Sequence, residues 1–131
     1  MSTKLNQILA EISAGELLDK ITILEIKREK ITDSEKLKNI NKELSSLTKT
    51  SDEKIPDKKR IENLVSDLKK INLKLWDIEE NKRRAEKEKK FDETFIQLSR
   101  DVYKSNDERA KIKLKINEIL GSNIKEVKSH Y

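Results

Sequence analysis

The chain of 131 residues contains no cysteine and only one histidine. Without cysteine it cannot form disulfides, thiolate metal sites or a cysteine nucleophile. The histidine, His130, is the last residue but one, which argues strongly against a histidine-based triad or metal site. These absences favour a protein with no catalytic residues, no metal and no cofactor, and an enzyme is the less favoured class.

Long apolar runs are also missing. No segment approaches the ~20 consecutive apolar residues that a membrane-spanning helix needs. The N-terminal residues MSTKLNQILAEIS lack the apolar core of a signal peptide. We therefore expect a cytoplasmic protein without a membrane partner.

Glycine and proline are scarce, at two and one residues, whereas lysine, glutamate, leucine, isoleucine and asparagine dominate. This composition is typical of long helices that face solvent on one side. We predict an all-α fold in a single domain over residues 1–131, a bundle built on long antiparallel helices. The four main helices are predicted at 13–31, 34–50, 58–90 and 92–120, with a loop at 48–57 around Pro56.

The first predicted helix begins at a capping box, in which the Ser13 hydroxyl can accept from the N–H of Glu16. Its apolar residues then occupy two opposite faces. One face carries Leu17, Ile21, Leu24 and Ile31, and the other carries Ile23 and Ile26. Such a helix is either central to the bundle or meets another subunit, and we predict a homo-oligomer.

Polar residues interrupt the apolar lines of three helices. They are Arg28 on the first helix, Asn72 and Glu79 on the third, and Asn106, Arg109, Lys113 and Asn117 on the last. If these side chains meet in the interior, the charges need partners, since an unpaired buried ion costs several kcal/mol. Glu79 is the expected partner of Arg28 or Arg109.

Two interpretations fit this set. The favoured one is a structural network of ion pairs and amides that fixes how the helices pack. The other is a small cationic pocket for a carboxylate or phosphate ligand, because the cations outnumber Glu79 and arginine offers a bidentate fork. Asp19 is placed on the opposite side of its helix, beside Ile23 and Ile26. It is a secondary candidate, as are Trp76 and Tyr103 beside the polar lines.

The formal net charge of +5 invites comparison with nucleic-acid-binding proteins. Most of the excess lies in the run KRRAEKEKK, Lys82 to Lys90, where Glu86 and Glu88 interrupt the positive charges. A nucleic-acid site needs a face of one sign. Nucleic acid is therefore an unlikely partner.

Three blocks of sequence carry a resemblance: GELLDKITILEIKREKI at 15–31, INLKLWDIEENKR at 71–83 and FIQLSRDVYKSNDERAKIKLKIN at 95–117. They resemble a family of small uncharacterised proteins of bacteria and tailed phages, grouped as a domain of unknown function. The family pattern includes most of the candidate residues above. They are Asp19, Asn72, Trp76, Glu79, Tyr103, Asn106, Arg109, Lys113 and Asn117. The chain departs from it at Lys82 and Ser99.

The leading hypothesis is a helical binding or assembly module, homo-oligomeric, whose polar interior cluster is structural or binds a small anion. One alternative is a small all-α enzyme of the chorismate-mutase type, in which cations from facing helices clamp an anionic substrate. The other is a weak nucleic-acid-binding protein.

Overall fold

The computed structural model of the protein describes residues 4–127, so residues 1–3 and 128–131 of the predicted domain, with His130, lie outside it. The predicted all-α fold is confirmed, with four long helices and no strand in the described part. A short 3₁₀ turn, Lys59–Ile61, leads into the third helix. The helices are α1 at Ala14–Lys30, α2 at Ser34–Lys54, α3 at Glu62–Glu88 and α4 at Glu93–Leu120.

The loop predicted at 48–57 is shorter than expected, because α2 continues to Lys54. Nothing in TKTSDEK breaks a helix, and Ser51 on its inner side is buried. Pro56 sets the end, because a residue before proline is pushed out of the helical region. Ile55 accordingly has φ −123° and ψ 79°.

The first helix is the centre of the bundle. α1 packs against α2 on one side and against the α3–α4 hairpin on the other, while α2 contacts no other helix. On the α2 side, Leu24 packs with Ile40 and Leu44. On the hairpin side, Leu17, Leu18, Leu68, Ile71 and Ile116 form the larger core cluster. The α2 side and the hairpin side of α1 are thus covered within the chain. On the second predicted face, Ile26 is buried and Ile23 is partly exposed.

Local signals in the sequence account for the helix ends. Ser13 caps α1 by accepting from the N–H of Glu16 at 3.1 Å, as predicted. Asp92 caps α4 in the same way through the N–H of Phe95. α4 ends at Gly121 with φ +63°, whereas α3 ends at Lys89, a non-glycine residue with φ +56°.

Candidate functional site: the Asp19 cluster and the Trp76 groove

A buried carboxylate joins three helices. Asp19 of α1 is only 1% exposed. Its Oδ1 accepts from Arg109 Nε of α4 at 3.0 Å and from Asn72 Nδ2 of α3 at 2.9 Å, and its Oδ2 accepts from the Arg109 terminal nitrogen Nη2. Arginine thereby holds both carboxylate oxygens, the strongest geometry for such a pair. We call Asp19 and the polar side chains around it the Asp19 cluster. These side chains are Glu16, Thr22, Asn72, Arg109, Lys113 and Glu126.

The placement of Asp19 corrects two predictions. Asp19 was expected on the far side of α1, and Glu79 was expected to neutralise Arg109. Because α1 has neighbours on both sides, the face that carries Asp19 is also interior, turned towards α3 and α4. Asp19 is therefore the partner of Arg109, and Glu79 is exposed.

The amide of Asn72 connects α3 to two groups of α1. Besides Asp19, its Nδ2 donates to Thr22 Oγ1 at 2.9 Å. The Thr22 hydroxyl in turn donates to the main-chain carbonyl of Asp19 at 2.8 Å. All three side chains are buried, so that the chain of hydrogen bonds fixes α3 against α1 in one register.

Lys113 forms ion pairs with two further carboxylates, Glu16 of α1 and Glu126 of the tail after α4. Its Nζ lies 2.7 Å from Glu16 Oε2, 3.0 Å from Glu126 Oε1 and 3.8 Å from Asp19 Oδ2. Burial by itself raises the pKa of Glu16, but the hydrogen bonds with Lys113 and Glu126 and the charges of Lys113 and Lys20 lower it from 4.5 to about 2. Burial likewise works to lower the pKa of Lys113, whereas its hydrogen bonds to Glu16 and Glu126 raise it overall. Glu16 and Lys113 are therefore both charged at neutral pH.

The hydrogen bonds of Arg109 to Asp19 raise the pKa of its guanidinium, with burial opposing them. Arg109 is therefore a permanent cation. The predicted excess of positive charge is absent from the Asp19 cluster. Its two cations, Arg109 and Lys113, face the carboxylates of Asp19, Glu16 and Glu126.

Asn117 is a polar residue in the middle of an apolar line, and its contact with the start of α1 explains why it is there. It is fully buried, and its Oδ1 accepts from the N–H of Gly15 at 2.7 Å. Ser122 Oγ accepts from the N–H of Ala14 at 3.1 Å, and Ser13 Oγ accepts from the main-chain N–H of Glu16. The first three N–H groups of α1 therefore all have acceptors, which leaves none for an anion at this helix end.

Gly15 allows α1 to approach α4 this closely. A Cβ added at Gly15 would lie 2.6 Å from the carbonyl oxygen of Lys113 and 2.9 Å from Asn117 Oδ1. A larger side chain would separate the helices at this point and stretch the hydrogen bond to Asn117. Gly15 lies inside a helical pattern in a chain with only two glycines. This position could have indicated the close contact from the sequence.

Half of the predicted residues line one groove of about 580 Å³ between α1, α3 and α4. They are Asn72, Trp76, Glu79, Asn106 and Arg109. The apolar wall consists of Ile23, Ile26, Leu75 and Val102, and Glu80 and Arg83 complete the charged lining. We call this the Trp76 groove.

The Asp19 cluster lies directly beneath the groove. Arg109 belongs to both, since its Nε and Nη2 bind Asp19 while its Nη1 lies 3.4 Å from Asn106 Oδ1 in the groove lining. The groove is therefore built on side chains that buried hydrogen bonds hold in place.

The remaining predicted residues lie elsewhere. Arg28 lines a separate cleft between α1 and α2, because the apolar line that it continues faces α2 and not the hairpin. Tyr103 is more than half exposed on α4. Lys113 and Asn117 line a cavity of about 200 Å³ between α4 and the tail residues Glu126 and Val127.

No three His, Cys, Asp or Glu side chains among residues 4–127 are grouped so that they could hold a metal ion. None of the described helices is long and apolar enough to cross a membrane.

Residues 8–131 match the model of DUF6165, a family of unknown function. The chain belongs to this family. The match includes residues 34–58, which the three resembling blocks leave uncovered. No curated protein and no solved structure matches the chain. Since the family has no assigned function, a proposal for this member has to be argued from its groove and cluster.

Proposed function

We propose that this protein is a homo-oligomeric helical binding and assembly module that works through the Trp76 groove. The Asp19 cluster beneath the groove is then a structural latch between α1, α3 and α4. The observation that carries the proposal is the composition of the groove. An apolar wall of four side chains and one half-buried tryptophan, with charged residues along it, is the usual make-up of a protein-binding groove.

The latch supports this assignment by making the groove rigid. Asn72 and Arg109 line it, and each is tied to Asp19 by hydrogen bonds of 2.9–3.0 Å. A preformed surface loses less entropy when a partner binds.

The test uses Trp76→Arg, which places a long charged side chain in the apolar part of the groove. We expect the wild-type chain to form oligomers in sedimentation velocity and the variant to be monomeric with unchanged circular dichroism. Asp77→Arg is the matched control, because Asp77 is the exposed neighbour of Trp76 on α3 and does not line the groove. A monomeric wild type, or equal losses in both variants, would contradict the proposal.

A small anion is the second candidate ligand, favoured by the free edge of Arg109. Its Nη1 has only a long hydrogen bond to Asn106, and Arg83 lines the same groove. Two arginines can hold a carboxylate or phosphate between them. Phosphate should then raise the melting temperature of the wild type but not of Arg83→Gln, and no rise in either would exclude this ligand.

The two remaining alternatives have less support. A chorismate-mutase-like enzyme needs several cations on facing helices that are free to hold a substrate. Lys113 is held by Glu16 and Glu126, and Asp19 occupies Nε and Nη2 of Arg109, which leaves only its Nη1 beside Arg83. Nucleic acid would have to bind the end of α3, where acidic residues interrupt the basic run and Lys90 lies 3.4 Å from Glu88.

A further inference from the structure

The chain before α1 exposes an unusual number of large apolar side chains. Residues 4–12 are not helical, and Leu5, Ile8 and Leu9 are 84%, 81% and 81% exposed. Ile12 is 41% exposed where this segment joins the bundle. We call residues 4–12 the N-terminal arm. Single exposed aliphatic residues are ordinary, but four within eight residues indicate a surface that becomes buried on binding.

The spacing of these residues is helical. Positions 5, 8, 9 and 12 follow the pattern i, i+3, i+4, i+7, which puts all four side chains on one face of a helix. The residues between them, including Gln7, Ala10 and Glu11, are compatible with a helix. An isolated helix this short is marginal in water. The arm is therefore expected to become helical only when a groove covers its apolar face.

The Trp76 groove has the features that such a helix requires. It lies between helices and has an apolar wall, and amphipathic helices bind in grooves of this kind through i, i+3, i+4 and i+7 anchors. The groove carries charges of both signs, with Glu79 and Glu80 one turn before Arg83, and the arm carries one charge of each sign, Lys4 and Glu11.

The geometry favours the groove of a second copy over the arm's own groove. A helical arm of nine residues is about 13.5 Å long, and Ile23, at the near edge of the groove, lies ten residues or about 15 Å along α1 from Ser13. A helical arm folded back from Ser13 would therefore end before it reached the centre of its own groove. Asn123 Nδ2 also donates to Glu11, which ties the base of the arm to the tail that follows α4.

We propose that the arm of one copy binds as a helix in the Trp76 groove of a second copy, and that the exchange is reciprocal in a two-fold symmetric dimer. This rests on the proposed function of the groove and names its partner. Burying an aliphatic side chain contributes about 1.5–3 kcal/mol, at about 25 cal/mol for each Å² of apolar surface. Each of the four side chains therefore buries roughly 60–120 Å². Two arms then bury about 500–1,000 Å² of their own surface, to which the linings of the two grooves add, and this is the range of the smaller specific interfaces.

The first test compares two arm variants by sedimentation. Leu9→Glu puts a charge on the apolar face, and Gln7→Glu puts the same charge on the opposite face. Loss of one anchor is expected to cost about tenfold per arm. We therefore expect Leu9→Glu to raise the dimer dissociation constant about 100-fold, because the change occurs twice, and Gln7→Glu to leave it unchanged. Equal effects of the two variants would overturn the proposal.

The second test uses the absence of cysteine in the chain. Leu9→Cys combined with Val102→Cys should form a disulfide between two chains, so that the protein runs at twice its mass without reducing agent. Leu9→Cys with Tyr103→Cys is the control, because Tyr103 does not line the groove. A disulfide within one chain would show that the arm occupies its own groove and would overturn the exchange.

The third test separates this inference from the proposed function. A synthetic peptide of residues 4–12 is added to the Leu9→Glu variant, and the fluorescence of Trp76, the only tryptophan, is recorded. A shift to shorter wavelength supports the arm as the groove's ligand. If the peptide has no effect while Trp76→Arg still dissociates the oligomer, the groove is an interface but the arm is not its partner. If Trp76→Arg has no effect either, both proposals fail.

Discussion

Removal of the guanidinium in Arg109→Met tests whether the Asp19 cluster holds the bundle together. Asp19 is 1% exposed and would lose the donors Nε and Nη2 of Arg109. Only Asn72 and the more distant Lys113, at 3.8 Å, would remain. Removing one partner of a buried ion pair costs about 3–5 kcal/mol, because the other charge is left buried. We expect a loss in this range in the free energy of unfolding.

A double-mutant cycle separates the ion pair from general packing. Asp19→Leu combined with Arg109→Met removes both charges, and an apolar pair in the same place often restores much of the stability. The double variant should therefore lose less than the sum of the single variants, with a coupling of about 2 kcal/mol or more. The assay is urea unfolding followed by circular dichroism at neutral pH.

An exposed ion pair in the same molecule serves as the control. Lys69 and Glu29 are 3.2 Å apart on the surface, and Lys69→Met should cost less than about 1 kcal/mol. If Arg109→Met costs as little as this, Asp19 is not the buried anchor described above.

Three further predictions concern the helix ends and crossings. Because the folded pKa of Glu16 is lowered to about 2, its contribution to stability is present above pH 4.5 and is lost as the pH falls towards 2. Allowing for partial exposure, it amounts to roughly 1–2 kcal/mol, and Glu16→Gln should flatten the pH dependence of urea unfolding in this range. Gly15→Ala should destabilise the protein by about 1–3 kcal/mol despite the better helix propensity of alanine, because the new Cβ meets the Lys113 carbonyl oxygen. An unchanged melting temperature would refute that contact. Lys89→Gly should stabilise the protein by about 1 kcal/mol, since the left-handed conformation suits glycine, whereas a loss would mean that the Lys89 side chain contributes more than its strain costs.

Much of the fold could be predicted from periodicity and capping residues. The spacing of apolar residues predicted four helices, and Ser13 marked the start of the first one. The two-sided pattern of α1 left open a central helix or a contact with another subunit, and α1 is the central helix of the bundle. The end of α2 was missed because polar residues without glycine or proline are compatible with a helix and with a loop, and only the packing of Ser51 and Ile55 decides.

The candidate site could be predicted in part. A helical wheel identifies the face on which a residue lies, but not the helix that covers that face. Asn72 and Arg109 were therefore found, whereas Asp19 was assigned to the wrong side and Arg28 to the wrong neighbour. The role of Glu126 could not be predicted at all, because it depends on the path of the tail after Gly121.

The mass of the 131-residue chain in solution is the most direct test of the central claim, that the Trp76 groove is an assembly surface. Sedimentation equilibrium of the wild type and of Trp76→Arg, over a range of concentrations, measures it. We predict twice the mass of the chain for the wild type and the mass of one chain for the variant. A wild type that stays monomeric at every concentration, or a variant that still dimerises, would contradict the account.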